Sequence, residues 1–381
     1  MFVINAARAV LRGADIDAVA WSGELMAVNV GLDIGTSAVR AALVNTGKGT
    51  PTLQRYGEVA LPPGAVVGGE IVDEELVQGA ISRLWKTAKL PKKRVVLGIA
   101  NQRVIVRRVD LPYMAESELS ESLAFQAQEY IPIPIDDAIL DFIPLEEFTT
   151  PEGEPMLSVL VVAAQKQMAS DVLRVVQAVG IKPMAVDLQA FALVRVLFGG
   201  DLNLDAAPQV IVNIGAGLTQ VVIVKGGSVR FLRIVSLAGE DFSRVLIEGM
   251  GMDAAQAEQT KRRVGVAIEG TPSGGDGDEK ARLLLTRQAD ALIDEIRGSV
   301  DYYLSQAADT GIQQLYVAGN AARLPHLANR LGRSLNVEVS PIRMLEGDRL
   351  SVGKIGLSEA ELAQAQPVLP VPVGLALWGE V

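Results

Sequence analysis

Two segments of the chain share one pattern of apolar and small residues. Residues 31–44 read GLDIGTSAVRAALV, and residues 212–224 read VNIGAGLTQVVIV. Each segment has an apolar run, a turn of small residues and a second apolar run, which predicts two strands joined by a tight turn. Such turns expose backbone N–H groups that bind anionic oxygens. The two segments therefore predict hairpins that hold a phosphate chain between two lobes.

The spacing of apolar residues elsewhere predicts a mixed α/β fold. After Asp73, apolar residues recur every three or four positions, which predicts a helix capped by Asp73, with Val77, Ala80, Ile81, Leu84 and Ala88 on one face. Residues 117–130 predict a second helix, which Pro132 and Pro134 end. Strands are predicted at 95–99, 104–109, 139–145, 157–163, 184–186, 229–235, 314–318 and 337–339, and further helices at 166–179, 188–197, 287–306 and 321–331.

These elements divide the chain into two lobes and two smaller units. Residues 28–92 and 181–205 are expected to form the first lobe, and residues 206–245 and 312–381 the second. Residues 93–180 predict an inserted strand–helix–strand–strand module. Residues 246–311 predict a helical subdomain of the second lobe, with a mobile loop at 269–280, where polar residues, glycine and proline predominate.

Residues 1–27 precede the first predicted strand and show only weak helical periodicity. Two interpretations are a flexible extension and an amphipathic membrane helix. The extension is favoured, because only two cationic residues, Arg8 and Arg12, flank the apolar positions. The segment lacks the apolar core of a signal peptide, and no apolar run in the chain approaches the roughly 20 residues of a spanning helix.

Composition narrows the class of function. The 381 residues are 49% apolar and 21% charged, as expected of a globular protein with room for two cores. The net charge of −10 argues against nucleic-acid binding, which needs a basic face. The lack of cysteine excludes disulfides and thiolate chemistry and fits a reducing cytoplasm. The single histidine, His326, cannot form a histidine-rich metal site.

The first hairpin carries a carboxylate in an apolar strand. Burying an aspartate is costly unless it is paired, hydrogen-bonded or near a metal, so Asp33 indicates more than a structural turn. Thr36 and Ser37 offer N–H and hydroxyl groups to a phosphate, and Asp33 would hold Mg²⁺ through water. The existence of a second, matching hairpin supports this interpretation over a plain glycine turn.

In this order the motifs resemble the actin-like ATPase superfamily and, within it, the PilM family of type IV pilus assembly proteins, which is related to the division protein FtsA. The resemblance covers residues 28–377: the phosphate motifs are similar to residues 31–37 and 213–216, and the adenosine motif to residues 317–322. The run Glu129-Tyr130-Ile131-Pro132, followed by Asp136, Asp137 and Asp141, resembles the acidic run of the PilM module. The resemblance implies a two-lobed actin-like α/β fold, that is, a duplicated ribonuclease H-like unit with an inserted α+β module.

The resemblance also implies that residues of both lobes hold ATP. The implied contacts are Asp33, Gly35, Thr36, Ser37, Asn213, Gly215, Ala216, Gly217, Thr219, Gly239, Glu258, Lys261, Gly319 and Asn320. Asn213 stands where the family usually has an acidic residue, which weakens Mg²⁺ binding and attack on the γ-phosphate. Backbone donors of the second hairpin remain, so ATP binding is expected to survive although hydrolysis is weakened.

Local alternatives remain for several of these positions. Glu258 and Lys261 are three residues apart on one helix face and could form only an intrahelical ion pair. Asn320 could be a helix N-cap instead of a ribose contact. The superfamily's water-orienting position corresponds to Asp187 or Gln189, and Asp187 could equally be an N-cap. No catalytic residue is assigned.

The implied function is that of a cytoplasmic ATP- and Mg²⁺-binding scaffold of a type IV pilus or related secretion machine. It would bind the N-terminal tail of a PilN-like protein, contact other inner-membrane assembly components and hydrolyse ATP slowly or not at all. Tyr130, Ile131, Pro132, Asp136 and Asp137 would flank the docking groove, although acidic runs are usually solvated faces. The alternatives are an active actin-like ATPase or kinase, an FtsA-like filament former, and an interaction module with a vestigial pocket.

Overall fold

The computed structural model describes residues 28–379 except 48, 200–205, 269–274, 308 and 346–348. The strands are β1 (Val28–Ile34), β2 (Ala38–Asn45), β3 (Thr52–Ala60), β4 (Val66–Val67), β5 (Glu70–Ile71), β6 (Lys93–Ile99), β7 (Ile105–Pro112), β8 (Ala138–Thr149), β9 (Pro155–Gln165), β10 (Lys182–Leu188), β11 (Gln209–Ile214), β12 (Thr219–Lys225), β13 (Ser228–Val235), β14 (Gln314–Ala318), β15 (Val339–Pro341) and β16 (Ser351–Val352). The helices are α1 (Glu74–Ala88), α2 (Glu116–Ala127), α3 (Lys166–Ala178), α4 (Gln189–Phe198), α5 (Gly239–Met250), α6 (Ala254–Val264), α7 (Asp276–Gln306), α8 (Leu327–Leu335), α9 (Glu359–Ala365) and α10 (Pro370–Ala376).

The first lobe is built on a six-stranded sheet with the order β10-β6-β1-β2-β3-β16. β1 pairs antiparallel with β2 and parallel with β6, so the sheet is mixed. Helix α1 packs on β3 and β2. Asp73 caps this helix as predicted, because its side chain accepts a hydrogen bond from the N–H of Leu76 at 3.0 Å. The buried residues of α1 are Val77, Ala80, Ile81, Leu84 and Trp85.

The second lobe repeats the strand order and directions of the first. Its five-stranded sheet has the order β13-β12-β11-β14-β15, and β11 lies between antiparallel β12 and parallel β14, just as β1 lies between β2 and β6. In register, Asn213 pairs with Gln220 where Asp33 pairs with Arg40. The duplicated two-lobed α/β fold that the repeated sequence pattern predicts is therefore confirmed.

Helix α4 lies between the two sheets. It packs against β10 and β6 of the first sheet and against β12 and β13 of the second. Residues 189–196 are all buried, so the helix has no solvated face over that length. One face of the second sheet, with Ile211, Val222 and Leu232, therefore joins the apolar core of the first lobe. The opposite face packs against the helices of the second lobe in a separate core.

The C-terminal segment returns to the first lobe, which corrects the predicted second-lobe range of 312–381. Strand β16 pairs with β3, and α10 packs against β1, β2, β6 and α4. The side-chain amide of Asn29 donates to the carbonyl of Ala376 at 3.1 Å. Gly31 permits this close packing, because a Cβ at that position would lie 1.9 Å from the carbonyl oxygen of Pro372.

The inserted module is a three-stranded sheet, ordered β7-β9-β8, against which α2 packs. Leu119, Leu123 and Val159 belong to its own core, and the other face of β9, with Leu160 and Val162, packs into the first-lobe core. The module is smaller than the predicted range 93–180. Strand β6 belongs to the first sheet, and α3 packs on α1 and β10.

Some local predictions differ from the structure. Helix α7 begins at Asp276, inside the predicted loop 269–280, and runs to Gln306. The predicted helix 321–331 is a 3-10 turn, Asn320–Arg323, followed by α8, with His326 between them at a φ of 69°. Residues 1–27 and 269–274 lie outside the described residues, so the predictions for them stay predictions. Among the described helices, none is long and apolar enough to cross a membrane.

We expect Gly31→Ala to destabilise the fold by about 1–3 kcal/mol or more, because α10 would have to move to admit a methyl group. Gly79→Ala is the control. Gly79 is exposed within α1, and an added Cβ there meets no atom within 4 Å. This change should be neutral or stabilising by about 0.5–1 kcal/mol. Urea unfolding followed by circular dichroism measures both, and equal stability of the two variants would contradict the close packing.

Candidate functional site

The two hairpins meet at their tips between the lobes. The N–H of Gly35 donates to the carbonyl of Ala38 at 3.0 Å, and the N–H of Gly215 donates to the carbonyl of Leu218 at 2.9 Å. The two turns are therefore closed in the same way. A Cβ on Gly217 would lie 2.5 Å from Oγ1 of Thr36, so the tips are in contact. Glycine at position 217 is what allows this approach.

The hairpin tips present open backbone donors. Within the part of the chain that the structure describes, the N–H groups of Thr36, Ser37, Ala216 and Gly217 donate to no acceptor. Successive unpaired N–H groups in a turn form a concave site for anionic oxygens. Two such sets from opposite lobes can bind a chain of phosphates, as the sequence pattern predicts.

A cavity of about 460 Å³ lies beside these tips. Its volume falls within the range of about 300–1,000 Å³ that is common for small-molecule sites. Among the residues implied by the resemblance, its lining includes Ser37, Gly215, Ala216, Gly239, Glu258, Lys261 and Asn320. The lining also includes Ala321 of the adenosine motif, together with Glu240, Phe242, Arg262, Arg323 and Leu324, which the sequence does not single out.

Helix α5 begins against the second hairpin. The N–H groups of Gly239 and Glu240 donate to the carbonyls of Gly215 and Ala216 at 3.0 and 2.8 Å. A Cβ on Gly239 would lie 3.0 Å from the Gly215 carbonyl oxygen, so glycine permits this contact. Burial raises the pKa of Glu240, and the neighbouring Asp241 raises it further. The wall formed by α5 is thus held to the turn by backbone hydrogen bonds.

Lys261 connects α6 to the start of α5. Its Nζ donates to the carbonyl of Gly239 at 3.0 Å and to Oγ of Ser243 at 2.9 Å, and lies 2.5 Å from Glu258. Burial by itself raises the pKa of Glu258, but hydrogen bonds from Lys261, Arg262 and Ser243 lower it below its ordinary value. The intrahelical ion pair is present, and Lys261 also contacts a second helix.

Gly319 brings β14 close to the second hairpin. It has a φ of 87°, and a Cβ there would lie 2.3 Å from the carbonyl oxygen of Ile214 and 2.8 Å from Oδ1 of Asn213. Its own N–H donates to the carbonyl of Pro367 at 2.7 Å. Asn320 is the first residue of the 3-10 turn, with Gly319 at the N-cap position, so the N-cap alternative for Asn320 is wrong.

Two arginines missed by the sequence analysis line the cavity. Nε of Arg262 donates to Glu258 at 2.8 Å. The guanidinium of Arg323 forms no hydrogen bond or ion pair with any residue that the structure describes. Burial lowers the pKa of Arg323, and the carboxylate of Glu58 in the other lobe opposes that effect. Arg323 is therefore a cation in the cavity wall with its donors open to a ligand.

Asp33 is buried in a charged network of the first sheet. Its Oδ2 lies 3.6 Å from Nη1 of Arg40, whose Nη2 donates to Glu58 at 3.1 Å. The hydroxyl of Tyr56 donates to the same Glu58 at 3.0 Å. Burial raises the pKa of Asp33, and the Arg40 guanidinium opposes the rise. The sequence signal for Arg40 was available, since it is a charge within an apolar strand, like Asp33.

Gln189, the second water-orienting candidate, connects Asp33 to the other lobe. Its Nε2 donates to Oδ1 of Asp33 at 2.7 Å, and its Oε1 accepts from Nε2 of Gln220 on β12, also at 2.7 Å. Gln220 was not among the sequence candidates. No motif singles it out, because a glutamine in a strand has no distinctive spacing.

Two other candidates do not line the cavity. Asp187 forms a buried ion pair with Arg195 and accepts a hydrogen bond from the N–H of Leu188 at 2.8 Å. Burial raises the pKa of Asp187, while Arg195 opposes the rise. Helix α4 has Leu188 at its N-cap position, so the N-cap alternative for Asp187 is also wrong. Thr219 is fully buried, and its hydroxyl donates to the carbonyl of Leu237 at 2.7 Å.

The residues of the site suit a metal ion that is coordinated mainly by the phosphates of a bound ligand and by water. The described residues contain no group of three or more carboxylates or histidines that could bind a metal by themselves. Each oxygen of Asp33 has a second lone pair beyond its contact with Gln189 or Arg40. That capacity fits an outer-sphere contact to the water of a Mg²⁺ ion, which usually keeps several waters and binds substrate phosphates.

On the inserted module, the predicted docking residues do not share one environment. Tyr130, Pro132, Asp136 and Asp137 are exposed, but Ile131 is buried in the module core and cannot serve as a surface anchor. The most exposed large apolar side chain nearby is Phe125 on α2, at 78% exposure. The sequence pattern does not single out Phe125, because helical periodicity identifies buried positions and does not predict that a phenylalanine will be exposed.

Comparison with known sequences identifies a family. The model of the family described as type IV pilus assembly protein PilM matches residues 31–380. The cell division protein FtsA of Bacillus subtilis (strain 168) is 24% identical over 263 residues, which are 62% of this chain. The aligned region spans only 58% of that FtsA chain.

Comparison with solved structures agrees on the fold. A chain of a PilM-PilN type IV pilus biogenesis complex is 25% identical, with a TM-score of 0.79, and the match covers 93% of this chain and 98% of that one. The ethanolamine utilization protein EutJ of Carboxydothermus hydrogenoformans matches with a TM-score of 0.51 at 16% identity, over 92% of this chain and 90% of that one. MreB5 of Spiroplasma citri bound to AMPPNP matches with a TM-score of 0.50 at 14% identity, over 83% and 92%.

We expect Asp187→Asn to destabilise the protein by about 3–5 kcal/mol, because it leaves the guanidinium of Arg195 buried without its counter-charge. Asp294→Asn, in the exposed pair with Arg297, is the matched control and should change stability little. Thermal and urea unfolding measure both variants. If the Asp187→Asn variant is as stable as the control, Asp187 is not a structural partner of Arg195.

Proposed function

This chain belongs to the type IV pilus assembly protein PilM family, and we propose that it is an ATP-binding scaffold that binds the N-terminal tail of a PilN-like inner-membrane protein. The observation that carries the nucleotide part is the pair of hairpin tips, which face each other with open backbone donors beside a cavity between the lobes. Binding of the PilN-like tail is supported by the acidic and apolar surface of the inserted module.

The phosphates are the part of the nucleotide that both lobes can bind. Thr36 and Ser37 of the first lobe and Ala216 and Gly217 of the second each present an unpaired N–H. A ligand that bridges these donors favours whichever lobe arrangement brings them to it. ATP would therefore act mainly by stabilising the closed arrangement of the lobes. The nucleotide bound to the similar MreB5 agrees with such a site in this fold.

The base and ribose would lie in the cavity beyond the tips. Arg262 and Arg323 line it, and a planar guanidinium stacks on an aromatic base while its edges stay free to donate. Glu258 and Asn320 would supply polar contacts for the ribose. Lys261 would hold this wall of the cavity in place, because its three N–H donors already bind other groups of the protein. The open guanidinium of Arg323 makes it the most informative residue to change.

The bound ATP would be hydrolysed slowly or not at all. Mg²⁺, bound with ATP and held through water by Asp33, would neutralise charge on the phosphates. Asn213, at the position equivalent to Asp33, adds no second carboxylate. Asp187, engaged with Arg195, offers no free base.

The partner surface lies on the inserted module. Glu129, Asp136 and Asp137 form no ion pair with any described residue, so their charges are available to a partner. Exposed Phe125 and Tyr130 offer apolar contacts on the same module. Such a surface suits a short peptide with basic residues for register and apolar residues for affinity. The likeness to the PilM-PilN complex supports a PilN-like tail as that peptide.

In this proposal the protein would lie at the cytoplasmic face of the inner membrane, held there by the PilN-like partner. Further contacts with other assembly components of the pilus are part of the same proposal. A closed nucleotide-bound form and an open form would present the module differently to those components.

Calorimetric titration with Mg-ATP tests the nucleotide site. We expect binding at millimolar nucleotide or below, and a loss of about 2- to 30-fold for Arg323→Ala, since a cation over an aromatic ring contributes roughly 0.5–2 kcal/mol. Arg287→Ala, on the exposed side of α7, should bind like the unmodified protein. Absence of binding at millimolar Mg-ATP would exclude the nucleotide site. Rapid turnover, or filaments that sediment with ATP, would favour an active ATPase or a filament former instead.

Fluorescence anisotropy with a labelled N-terminal peptide of the PilN-like protein tests the partner site, with and without ATP. The double variant Tyr130→Ala/Asp137→Lys should weaken binding at least about tenfold, because it removes one apolar contact and reverses one charge. Tyr302→Ala/Asp301→Lys is the matched control, since it makes the same changes at exposed residues of the second lobe. Equal weakening by both variants, or no binding of the peptide in either condition, would exclude this docking site.

A further inference from the structure

Three polar side chains connect the two lobes in a row behind the hairpins. Asp33 of β1 accepts from Gln189 of α4, and Gln189 accepts from Gln220 of β12, both at 2.7 Å. All three residues are buried, at 6%, 8% and 3% exposure. The row therefore joins the first sheet, the helix between the sheets and the second sheet through hydrogen bonds shielded from solvent.

The carboxylate at one end fixes the direction of the whole row. An ionised carboxylate only accepts hydrogen bonds, so Gln189 must turn its NH₂ group towards Asp33 and its carbonyl oxygen towards Gln220. Gln220 must then turn its own NH₂ group towards Gln189. Its Oε1 points away from the row, where it is fully buried and has no partner among the described residues.

The row directs the carbonyl oxygen of Gln189 towards Gln220 on β12. In phosphoryl transfer, a glutamine assists by orienting the attacking water, which requires a carbonyl oxygen that can accept from that water. Here one of the two lone pairs of that oxygen accepts from Gln220, and the NH₂ group is held by Asp33, so the row fixes the orientation of the amide. Gln189 is itself buried and does not line the cavity beside the hairpin tips, and Oε1 of Gln220 is buried as well.

The location of Gln220 follows from the duplication. Gln220 pairs with Asn213 across the second hairpin, as Arg40 pairs with Asp33 across the first. The first hairpin has a charged pair at this register, in which Arg40 also binds Glu58. The second hairpin has a pair of amides, and the amide of Gln220 is free to reach α4.

We propose that Gln220 is a positioning residue that holds the carbonyl of Gln189 away from water and so slows the hydrolysis of bound ATP. This inference rests on the proposed nucleotide site and extends it by naming the residue that limits turnover. When Gln220 cannot donate, Gln189 keeps its bond to Asp33, and its Oε1 is no longer held towards β12 and can turn to accept from a water between the lobes. Turnover then rises while nucleotide binding stays the same, because neither phosphate donors nor cavity residues change.

The test is Gln220→Leu in the full chain. Single-turnover hydrolysis of Mg-ATP should rise roughly tenfold or more, which is below the ~10²–10⁴-fold contribution of a well-placed acid–base group. The KM should stay within about twofold, since a change in kcat alone separates positioning from a general loosening of the lobes. Gln220→Asn keeps an amide but is one methylene too short, and it should give the same rise even if the leucine variant folds poorly.

The double variant Gln220→Leu/Gln189→Leu is the decisive comparison. It should hydrolyse ATP no faster than the unmodified protein, because the carbonyl of Gln189 that causes the faster hydrolysis is then absent. If Gln220→Leu and Gln220→Asn both bind ATP normally but do not hydrolyse it faster, this inference is wrong and the proposed nucleotide site stands. The same holds if the double variant keeps the faster turnover. Failure of the unmodified protein to bind Mg-ATP by calorimetry would instead remove the proposed nucleotide site, and this inference with it.

Discussion

The carboxylate of Asp33 lies buried in the first sheet, and its partners are side chains on the neighbouring strand and on the helix between the two sheets. A buried charge without partners is costly, so its position determines which groups must surround it. Arg40 supplies the counter-charge from the neighbouring strand, and Gln189 supplies a hydrogen bond from the helix between the sheets. Because Gln220 of the second lobe holds Gln189 in turn, the solvation of one aspartate depends on the relative position of both lobes.

The duplication supplies two similar frames with different chemistry. Both hairpins close the same turn and expose the same backbone donors, since these features need only small residues and strand pairing. The side chains at the equivalent position differ, with Asp33 and Arg40 in one sheet and Asn213 and Gln220 in the other. The backbone donors of the two turns are therefore nearly symmetric, while the polar side chains beside them are not.

Local patterns were sufficient to predict the lobes, the hairpins and the helix that begins after Asp73, because each depends on neighbouring residues. They could not predict that α10 returns to the first lobe, which depends on Gly31 leaving room for residues more than 300 positions away. For the same reason the two glycine turns were identifiable from the sequence, whereas Arg323 and Gln220 were not. Their roles arise from partners in other elements, and neither residue belongs to a motif. Thr219 shows the converse, since its motif position suggested a ligand contact and its hydroxyl bonds to the backbone instead.

The module is mechanically connected to both lobes, which bears on how a partner and a nucleotide could influence each other. One face of β9 packs into the first-lobe core, so the module moves with that lobe. Its edge strand β7 contacts β13 of the second lobe, so any change in lobe separation alters that contact. If a ligand at the hairpins shifts the lobes, the free energy of the β7–β13 contact shifts with them. By reciprocity, a partner that binds the module differently in the two arrangements changes nucleotide affinity by the same factor.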